Sequence, residues 1–415
     1  MKIIKLQVSK TLQAKIQKGH PWVFDYQIQN QTPEDGRPGD LGIIYTSKNK
    51  FLAIGFYDPS SEIRLRILQW GTPLSIDAKF FAGRLQKAIA IRSFLEKQGT
   101  SGYRIINGEN DGFPGMVLDR YEDTTVLKLY TAAWIPYLDG FLDSLAKTLP
   151  VQRCVLRLSR NCRKAVQETS SFREGQILFG PPLDSPVCFR ENGLFFEVDV
   201  FEGQKTGFFL DQRENRQRIR SLAKDKSVLN VFSYTGGFSV YAFAGGCQSV
   251  WEIDSSALAL KTSRDTFELN FAATKSEANE FQQIQGDAFT ALRQLQDRKN
   301  SFDIVILDPP AFAVKKKQKP KALATYRRLA ESGARLTRPG GLLFIASCSR
   351  QVTAEDFFRE VFSGIQSAGK IYEEIIRTGH AADHPIAFKE AEYLKGIYLK
   401  ISGEEIKKER KNKTL

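Results

Sequence analysis

The chain has 415 residues, 42% of them hydrophobic and 26% charged, which suffices for several buried cores and excludes a mainly disordered or collagen-like protein. No apolar run approaches the roughly 18 residues that span a bilayer. Five cysteines without CxxC spacing and three scattered histidines exclude a disulfide framework and a metal cluster, and favour the reducing cytoplasm. The formal charge of +13 favours a polyanionic partner.

The N-terminal part of the chain predicts a small β-barrel over residues 1–72. Its short alternating apolar runs are separated by turn clusters that contain Gly and Pro, and its first residues lack the apolar core of a signal peptide. Residues 73–186 then predict a compact α+β module. The expected elements of this module are a helix over 76–98, strands near 115–119 and 125–130, a helix near 135–148 and a strand near 153–159.

The remainder predicts an α/β domain over residues 187–403. It opens with a hairpin over 187–201, because Asn192-Gly193 between two apolar runs is a strong hairpin signal. From about residue 226 buried-type strands alternate with amphipathic helices, which is the βαβ pattern of a doubly wound parallel sheet. Ligands of such sheets bind at the carboxyl ends of the strands. Residues 404–415 predict a charged tail.

Three consecutive strand ends predict a pocket for adenosine. Gly236 and Gly237 follow the first strand and let the backbone pass close to a ligand. Asp254 ends the second strand roughly 18 residues later, a spacing at which an acid binds ribose hydroxyls. Asp287 and Phe289 follow the third strand and suit the amine and the ring face of an adenine.

Two alternatives bear on this pocket. Asp254 and Asp287 could instead cap the helices that follow them, although acids in register on successive strands favour the ligand. The chain has neither a GxGxxG fingerprint nor a P-loop, which disfavours NAD and ATP. S-adenosylmethionine needs ribose and adenine contacts without a pyrophosphate cradle, so it is the expected cofactor.

The fourth and fifth strand ends predict the reacting groups. Asp308 precedes two prolines that fix the backbone, and its carboxylate could hold the imino nitrogen and amine edge of a cytosine. Cys348 lies between two serines past the fifth strand, where a nucleophile is favoured over an inert core thiol. Carbon 5 of a pyrimidine is a weak nucleophile, so its methylation requires prior addition of a thiolate to carbon 6. Structural roles are expected for the other cysteines, Cys154, Cys162, Cys188 and Cys247.

Two basic stretches without acids predict contacts with nucleic acid. One spans residues 314–328 after Asp308, and the other spans residues 152–164. A merely solvated surface is the alternative. The residues expected to bind RNA are Lys315, Lys316, Lys317, Lys319, Arg157 and Arg160.

Several segments together closely resemble one family. They are QKTGFFLDQR at 204–213, VLNVFSYTGGFS at 228–239, LDPPAF at 307–312, SCS at 347–349, AADHP at 381–385 and YLKG at 393–396. The family is the PUA-domain-containing cytosine-5 methyltransferases of 23S ribosomal RNA. The likeness covers nearly the whole chain, since HPWVF at 20–24 and NGENDGFPG at 107–115 also resemble its N-terminal and central modules.

The resemblance implies a PUA barrel that binds RNA, a central α+β module and a Rossmann-like class I methyltransferase domain that uses S-adenosylmethionine. It implies that Cys348 is the nucleophile and that Asp308 holds the base edge. Ala311 departs from a different branch of RNA cytosine methyltransferases, which has a second cysteine there to assist product release. The resemblance implies that the cofactor is covered by a segment with Phe208, Asp211 and Arg213. The residues implied in cofactor binding are Asn230, Phe232, Thr235, Gly236, Asp254 and Asp287.

Three functions follow in order of preference. The first is methylation of carbon 5 of a cytosine in large-subunit ribosomal RNA. The second keeps the cofactor but changes the target to another base such as guanine, with Cys348 structural. The third is a non-catalytic ribosome-assembly factor, which the intact set of Asp254, Asp287, Asp308 and Cys348 disfavours. Neither a metal nor a membrane is expected, and a homodimer is left open.

Overall fold

The protein is described by a computed structural model over residues 2–184, 186–272 and 280–404. These residues form two compact units. The first unit contains the chain up to Leu210 together with Ala381–Ala391, and the second contains Asp211–His380 and the chain from Glu392 onward. The predicted tail lies, from residue 405, outside the described residues. No helix within the described ranges is long and apolar enough to cross a membrane.

A six-stranded sheet forms the N-terminal part of the first unit. Its elements are β1 (Ile3–Val8), α1 (Lys10–Gln17), β2 (Trp22–Phe24), β3 (Ile28–Thr32), β4 (Leu41–Tyr45), β5 (Phe51–Tyr57) and β6 (Ile63–Trp70). The strand order is β2-β6-β5-β4-β1-β3, with β1 and β4 parallel and the other pairs antiparallel. Alternation along β1 buries Ile4, Leu6 and Val8, and Leu12 and Ile16 of α1 join the same core.

A five-stranded α+β module follows in the same unit. Its elements are α2 (Ala78–Arg92), α3 (Phe94–Lys97), β7 (Gly102–Asn107), β8 (Met116–Tyr121), β9 (Thr124–Leu129), α4 (Leu138–Thr148), β10 (Arg153–Leu158), α5 (Arg160–Thr169) and β11 (Ile177–Phe179). The strand order is β11-β10-β9-β8-β7. Trp134 is completely buried and packs against Phe81 of α2 and edge-on against Phe56 of β5. The module and the N-terminal sheet therefore share a core, which makes them one unit.

The hairpin predicted over residues 187–201 is present. Its strands are β12 (Val187–Glu191) and β13 (Leu194–Val198), which pair antiparallel. The turn residues Asn192 and Gly193 have φ of 51° and 80°. Two successive residues with positive φ are what a type I′ turn requires, and Asn-Gly adopts this conformation at little cost.

The aromatic face of this hairpin places it in the first unit. Phe189 packs against Tyr121 of β8 with 5.1 Å between ring centroids. A Cβ at Gly102 of β7 would lie 2.0 Å from the ring of Phe189, so that glycine is required for the close approach. The second unit consequently begins at Asp211 and not at the boundary of 187 expected from the sequence. Turn chemistry locates a hairpin but does not say which core its apolar face joins.

A short segment near the C-terminus returns to the first unit. Asp383 is completely buried, and its carboxylate accepts the backbone N–H of Arg104 at 2.8 Å. The carbonyl of Asp383 accepts Nη2 of Arg92 at 2.9 Å, and Arg92 also forms a bidentate ion pair with Asp111. Residues 381–391 were expected in the α/β domain, because the order of the chain alone does not show where a loop is anchored.

A seven-stranded, mostly parallel sheet forms the second unit. Its elements are α6 (Arg213–Leu222), β14 (Ser227–Val231), α7 (Gly237–Ala244), β15 (Ser249–Asp254), α8 (Ala257–Phe271), β16 (Glu280–Gln285), α9 (Ala288–Asp297), β17 (Phe302–Leu307), α10 (Lys319–Leu336), β18 (Thr337–Ser347), α11 (Ala354–Ser367), β19 (Lys370–Thr378) and β20 (Lys395–Glu404). The order is β16-β15-β14-β17-β18-β20-β19, and β20 runs antiparallel to both of its neighbours. The helices pack in two groups, α6 to α8 and α9 to α11. This is the predicted doubly wound α/β architecture.

The topology of this sheet determines where a ligand can bind. β14 lies between β15 and β17, so the chain order of the strands reverses at β14. At such a reversal the connections on either side leave toward opposite faces, and a crevice opens outside the carboxyl ends of the strands. The loops that follow β14, β15, β17 and β18 border this crevice.

We expect Asp383→Ala to destabilise the first unit by about 2 kcal/mol, because it leaves the buried N–H of Arg104 without an acceptor. Urea unfolding monitored by tryptophan fluorescence measures the change. The control is Asp143→Ala on the exposed side of α4, which should cost less than about 0.5 kcal/mol. Equal destabilisation by both variants would show that Asp383 does not anchor the returning segment.

Candidate active site

The loop after β14 has a strained backbone and a tight packing position. Phe232, Tyr234 and Gly236 have φ of 62°, 49° and 76°, a region that non-glycine residues seldom adopt. A Cβ at Gly236 would lie 1.9 Å from Oγ of Ser263, so glycine is required by conformation and by space. Strain of this kind clusters at functional sites. The loop carries three of the predicted cofactor residues, Phe232, Thr235 and Gly236, and a fourth, Gly237, begins α7.

Asp254 links this loop to the end of β15. One carboxylate oxygen accepts the backbone N–H of Tyr234 and the other accepts that of Ser256, each at 2.9 Å. The N-cap of α8 is Ser256, whose hydroxyl accepts the N–H of Ala259. Asp254 therefore holds the loop after β14 in place. The alternative role considered from the sequence, capping of α8, is performed by Ser256.

Two buried polar atoms near the loop lack a hydrogen-bond partner within the described part of the chain. They are Oδ1 of Asn230, the last but one residue of β14, and Oγ of Ser233. Asn230 is 1% exposed, and its Nδ2 donates to Ser239 at 2.9 Å. Buried polar groups are nearly always satisfied, so these atoms indicate a polar ligand. The ammonium, carboxylate and ribose hydroxyls of S-adenosylmethionine are groups that an amide oxygen and a hydroxyl can bind.

Glu252 lies beneath the same loop and was not among the residues predicted from the sequence. It is completely buried, and its carboxylate accepts hydrogen bonds from Ser263 at 2.8 Å and from Gln283 at 3.0 Å. Burial raises the pKa of Glu252, and these hydrogen bonds act in the opposite direction. Its position two residues before Asp254 places it on the same face of β15, and this periodicity is the signal that could have identified it.

Asp287 and Phe289 begin α9 at the end of β16. Oδ1 of Asp287 accepts the backbone N–H of Thr290 at 2.9 Å and the hydroxyl of Thr290 at 3.0 Å. This acid therefore caps α9, which is the alternative role considered from the sequence. The same hydrogen bonds lower the pKa of Asp287. The guanidinium of Arg328 lies 3.9 Å from the ring centroid of Phe289 and covers one ring face. The structure thus explains both residues within the fold, and their contact with a cofactor stays a prediction.

The predicted reacting residues lie at the ends of adjacent parallel strands. Asp308 follows β17 and is half-buried, and Cys348 follows β18 and is also half-buried. Sγ of Cys348 is 4.0 Å from the carbonyl oxygen of Pro309. The pairing of β17 with β18 therefore brings the Asp308 loop and the Cys348 thiol to one edge of the sheet.

Hydroxyl groups hold the turn that carries Cys348. Ser347 donates to the hydroxyl of Tyr326 at 2.8 Å, and the same hydroxyl contacts Oγ of Ser349 at 2.9 Å. Oγ of Ser349 also accepts the backbone N–H of Ala313 at 3.3 Å, which ties the turn to the loop after β17. Burial raises the pKa of Tyr326 to about 12, so the phenol remains neutral. Tyr326 was not among the predicted residues, since only the fold brings α10 to this turn.

The other four cysteines differ from Cys348 in their surroundings. Cys154 and Cys162 are buried in the first unit and Cys247 is buried in the second, and burial raises the pKa of each thiol. Cys188 is exposed on the hairpin of the first unit. Cys348 is thus the one cysteine among the described residues that is both in the second unit and accessible.

The predicted cover segment is divided between the two units. Phe208 is buried in the first unit and packs against Phe189 and Phe196. Asp211 and Arg213 belong to the second unit. Asp211 accepts the hydroxyl of Tyr393 at 2.6 Å, and Arg213 begins α6 as a buried residue.

The residues predicted to bind RNA fall into two groups. Lys315, Lys316 and Lys317 are exposed before α10, as is Arg160 at the start of α5. By contrast, Arg157 forms an ion pair with Glu174 at 2.9 Å and donates to backbone carbonyls, so its guanidinium is used by the fold. Lys319 forms an ion pair with Asp356 at 2.6 Å. The described ranges contain no cluster of three or more side chains that could hold a metal ion.

The strand order and the polar crevice at the carboxyl ends define a Rossmann-like methyltransferase that uses S-adenosylmethionine. The sequence profile of S-adenosylmethionine-dependent methyltransferases matches residues 166–374, and that of the PUA-like domain matches residues 6–70. The chain belongs to the family of PUA-containing methyltransferases whose members include those named ribosomal RNA large subunit methyltransferase I.

Similar proteins cover nearly the whole chain. A ribosomal RNA large subunit methyltransferase of Deinococcus radiodurans is 43% identical over 96% of this chain and 97% of its own. Ribosomal RNA large subunit methyltransferase I of Shewanella denitrificans is 35% identical over 96% of this chain and 99% of its own length. The solved structure of a SAM-dependent methyltransferase from Streptococcus mutans has a TM-score of 0.80 and is 21% identical. The match covers 95% of this chain and 99% of that one. A second structure with the same scores is a methyltransferase complexed with SAH. These two structures confirm the fold.

We expect Asp254→Ala to weaken binding of S-adenosylmethionine by at least about tenfold, because it releases the loop of β14 and removes an acceptor for the ribose. Isothermal titration calorimetry measures the affinity. The matched control is Ser256→Ala, which removes the cap of α8 and leaves Asp254 in place. If both variants lose affinity equally, the carboxylate acts only through the start of the helix.

Proposed function

We propose that this protein methylates carbon 5 of a cytosine in large-subunit ribosomal RNA through a covalent adduct with Cys348. The observation that carries the proposal is the position of this accessible thiol, whose Sγ is 4.0 Å from the Pro309 carbonyl beside Asp308. The names of the relatives from Deinococcus radiodurans and Shewanella denitrificans support ribosomal RNA as the substrate. The formal charge of +13 also suits a polyanion.

The proposed reaction begins with the Cys348 thiolate. Its sulfur forms a bond to carbon 6 of the base, and the π pair of the double bond moves to carbon 5. S-adenosylmethionine, when bound, would supply the methyl group that carbon 5 receives, and the bond between its sulfur and the methyl carbon would break as the new carbon–carbon bond forms. A base then removes the proton of carbon 5, the electron pair of that C–H bond restores the double bond, and the bond from sulfur to carbon 6 breaks. The thiolate is thereby regenerated.

Other residues of the chain would orient the base and the thiol. Asp308 is expected to hold the amine edge of the cytosine, and the two prolines after it restrict its backbone. The hydroxyl of Tyr326 bridges Ser347 and Ser349, which flank the nucleophile. A nucleophile whose turn is fixed in this way loses little freedom on reaching the reactive geometry.

The exposed lysines before α10 are proposed to contact the RNA backbone. Lys315, Lys316 and Lys317 follow the Asp308 loop directly in sequence and are exposed. Phosphate contacts position a nucleic acid without reading its sequence. They would therefore bring a strand to the pocket, while the groups near Asp308 select the base. We place this reaction in the cytoplasm, in keeping with the free thiols of all five cysteines, and a homodimer stays a prediction.

We expect Cys348→Ala to abolish methyl transfer to unmodified ribosomal RNA while binding of S-adenosylmethionine stays within about twofold of wild type. RNA that contains 5-fluorocytosine should trap a covalent adduct with the wild type, because fluorine cannot leave as a proton does. The alanine variant should give no adduct in mass spectrometry. Cys188→Ala, which removes the exposed thiol of the first unit, is the control and should retain full activity.

Methylation by Cys348→Ala at a rate comparable to wild type would assign the thiol a structural role and favour a guanine or amine target. An adduct at another cysteine would keep the chemistry and change the residue. Binding of S-adenosylmethionine without methyl transfer by the wild type would favour the non-catalytic assembly factor.

Alanine at Lys315, Lys316 and Lys317 should reduce the slope of log affinity against log salt concentration by about 2, since each phosphate contact on a single strand contributes about 0.7. Fluorescence anisotropy with labelled RNA measures the slope. The control replaces Lys224, Lys226 and Lys299, which are exposed near the amino ends of the strands in the same unit. An unchanged slope in the first triple variant would make those lysines part of a solvated loop.

A further inference from the structure

Lys395 is a buried lysine beside the proposed nucleophile, and the reaction described above does not use it. The residue is 5% exposed and begins β20. It pairs directly with Ser347 across the antiparallel β18–β20 ladder, so it lies one residue from the register position of Cys348. The pairing of the two strands therefore fixes the side chain next to the turn that carries the thiol.

The hydrogen bonds of Lys395 leave part of its ammonium available. Its Nζ donates to the carbonyls of Ser349 and Val352, each at 2.8 Å, and both belong to the turn after Cys348. An ammonium has three N–H donors. Among the residues that the structure describes, the third has no acceptor, and no carboxylate forms a salt bridge with Nζ. Buried charges are normally paired, but Glu392 acts on this ammonium only from beyond salt-bridge distance.

Other ionisable groups near the turn, in the described part of the chain, include phenols, acids and exposed cations. Tyr326 of α10 has its pKa raised by burial to about 12, and burial also raises the pKa of Tyr398 on β20, so both phenols are neutral. Asp308 and Glu392 are acids. Two cations nearby in the described chain are Arg218, whose guanidinium lies 5.7 Å from the ring centroid of Tyr398, and the exposed Arg350, at 5.7 Å from that of Tyr393.

We propose that Lys395 is a positioning residue whose ammonium is the counter-ion of the Cys348 thiolate. This inference rests on the proposed function, in which the sulfur is anionic before it adds to carbon 6 and again when it is expelled. A positive charge beside a cysteine favours its thiolate, which is the species that attacks. The two carbonyl contacts hold the ammonium at the turn, so it is already in place before the substrate binds.

The protonation state of Lys395 agrees with this role near neutral pH. Burial lowers its pKa to about 8, whereas negative charge on Cys348 and on Glu392 acts in the opposite direction. A lysine is charged below its pKa, so the counter-ion is present at pH 7 and is lost as the pH rises through about 8. Stabilisation of the Cys348 thiolate by Lys395 should therefore decrease as the pH rises above about 8.

The test is the rate of alkylation of Cys348 by iodoacetamide as a function of pH, measured by peptide mass spectrometry without RNA or cofactor. Lys395→Met should slow alkylation at pH 7 by about tenfold and raise the half-maximal pH by about one unit, since one unit is a tenfold change in thiolate. Lys395→Arg should keep most of the wild-type profile. Exposed Cys188 in the same sample is the internal reference and should not change.

Two further variants make the test decisive. Lys395→Gln removes the charge but can still donate to the carbonyls of Ser349 and Val352, so it serves if the methionine variant does not fold. Arg350→Met removes the exposed cation two residues after the thiol. An unchanged Cys348 profile in a neutral Lys395 variant that still binds S-adenosylmethionine overturns the inference. An equal shift of the Cys348 alkylation profile in Arg350→Met overturns it as well, because the loss of any nearby positive charge would then have the same effect.

The outcome for Lys395 is separable from that for the proposed function. Loss of methyl transfer in Lys395→Gln without any change in alkylation overturns this inference and leaves the carbon-5 reaction intact. A shifted alkylation profile supports it, even if Cys348→Ala still methylates RNA, in which case the proposed function fails instead.

Discussion

The parallel pairing of β14, β15, β17 and β18 is the constraint on which the candidate site depends. Parallel strands present all their carboxyl ends at one edge of a sheet, and each such end here is followed by a loop with a distinctive side chain. Asp254 and Cys348 are almost a hundred residues apart in the chain, yet this register places them at the same edge. The reversal of strand order at β14 then provides the crevice.

Local patterns predicted the hairpin and the alternating strands and helices of the second unit from β14 to α11, although α1, α5, β19 and β20 were not predicted. The alternation of strands and helices indicated the doubly wound sheet, and Asn192-Gly193 indicated the hairpin, because periodicity and turn conformation are properties of neighbouring residues. The partners of the site could not be predicted in this way. Tyr326 and Lys395 reach the Cys348 turn from α10 and β20, and only tertiary packing brings them there.

The polar groups of this site differ in how many hydrogen bonds they form within the described protein. We infer that the fully bonded groups stabilise loops and that the others bind a ligand or a reacting group. Glu252 and Tyr326 have several hydrogen bonds each and stabilise the loops that they contact. Asn230 Oδ1 and Ser233 Oγ have none within the described chain, and Lys395 has a spare donor. Burying such groups costs stability unless a ligand or reacting group completes them, and this cost supports our proposal for where the cofactor and the thiolate act.

The returning segment around Asp383 has a consequence for how the chain is made. The polypeptide passes between the two units three times, after Leu210, His380 and Ala391, so neither unit is a continuous stretch of sequence. During synthesis the N–H of Arg104 can find its carboxylate partner only after almost the whole chain has left the ribosome. The first unit, although encoded first, is therefore completed only after most of the second unit has been made, and a fragment that ends at residue 210 would lack part of its own interior.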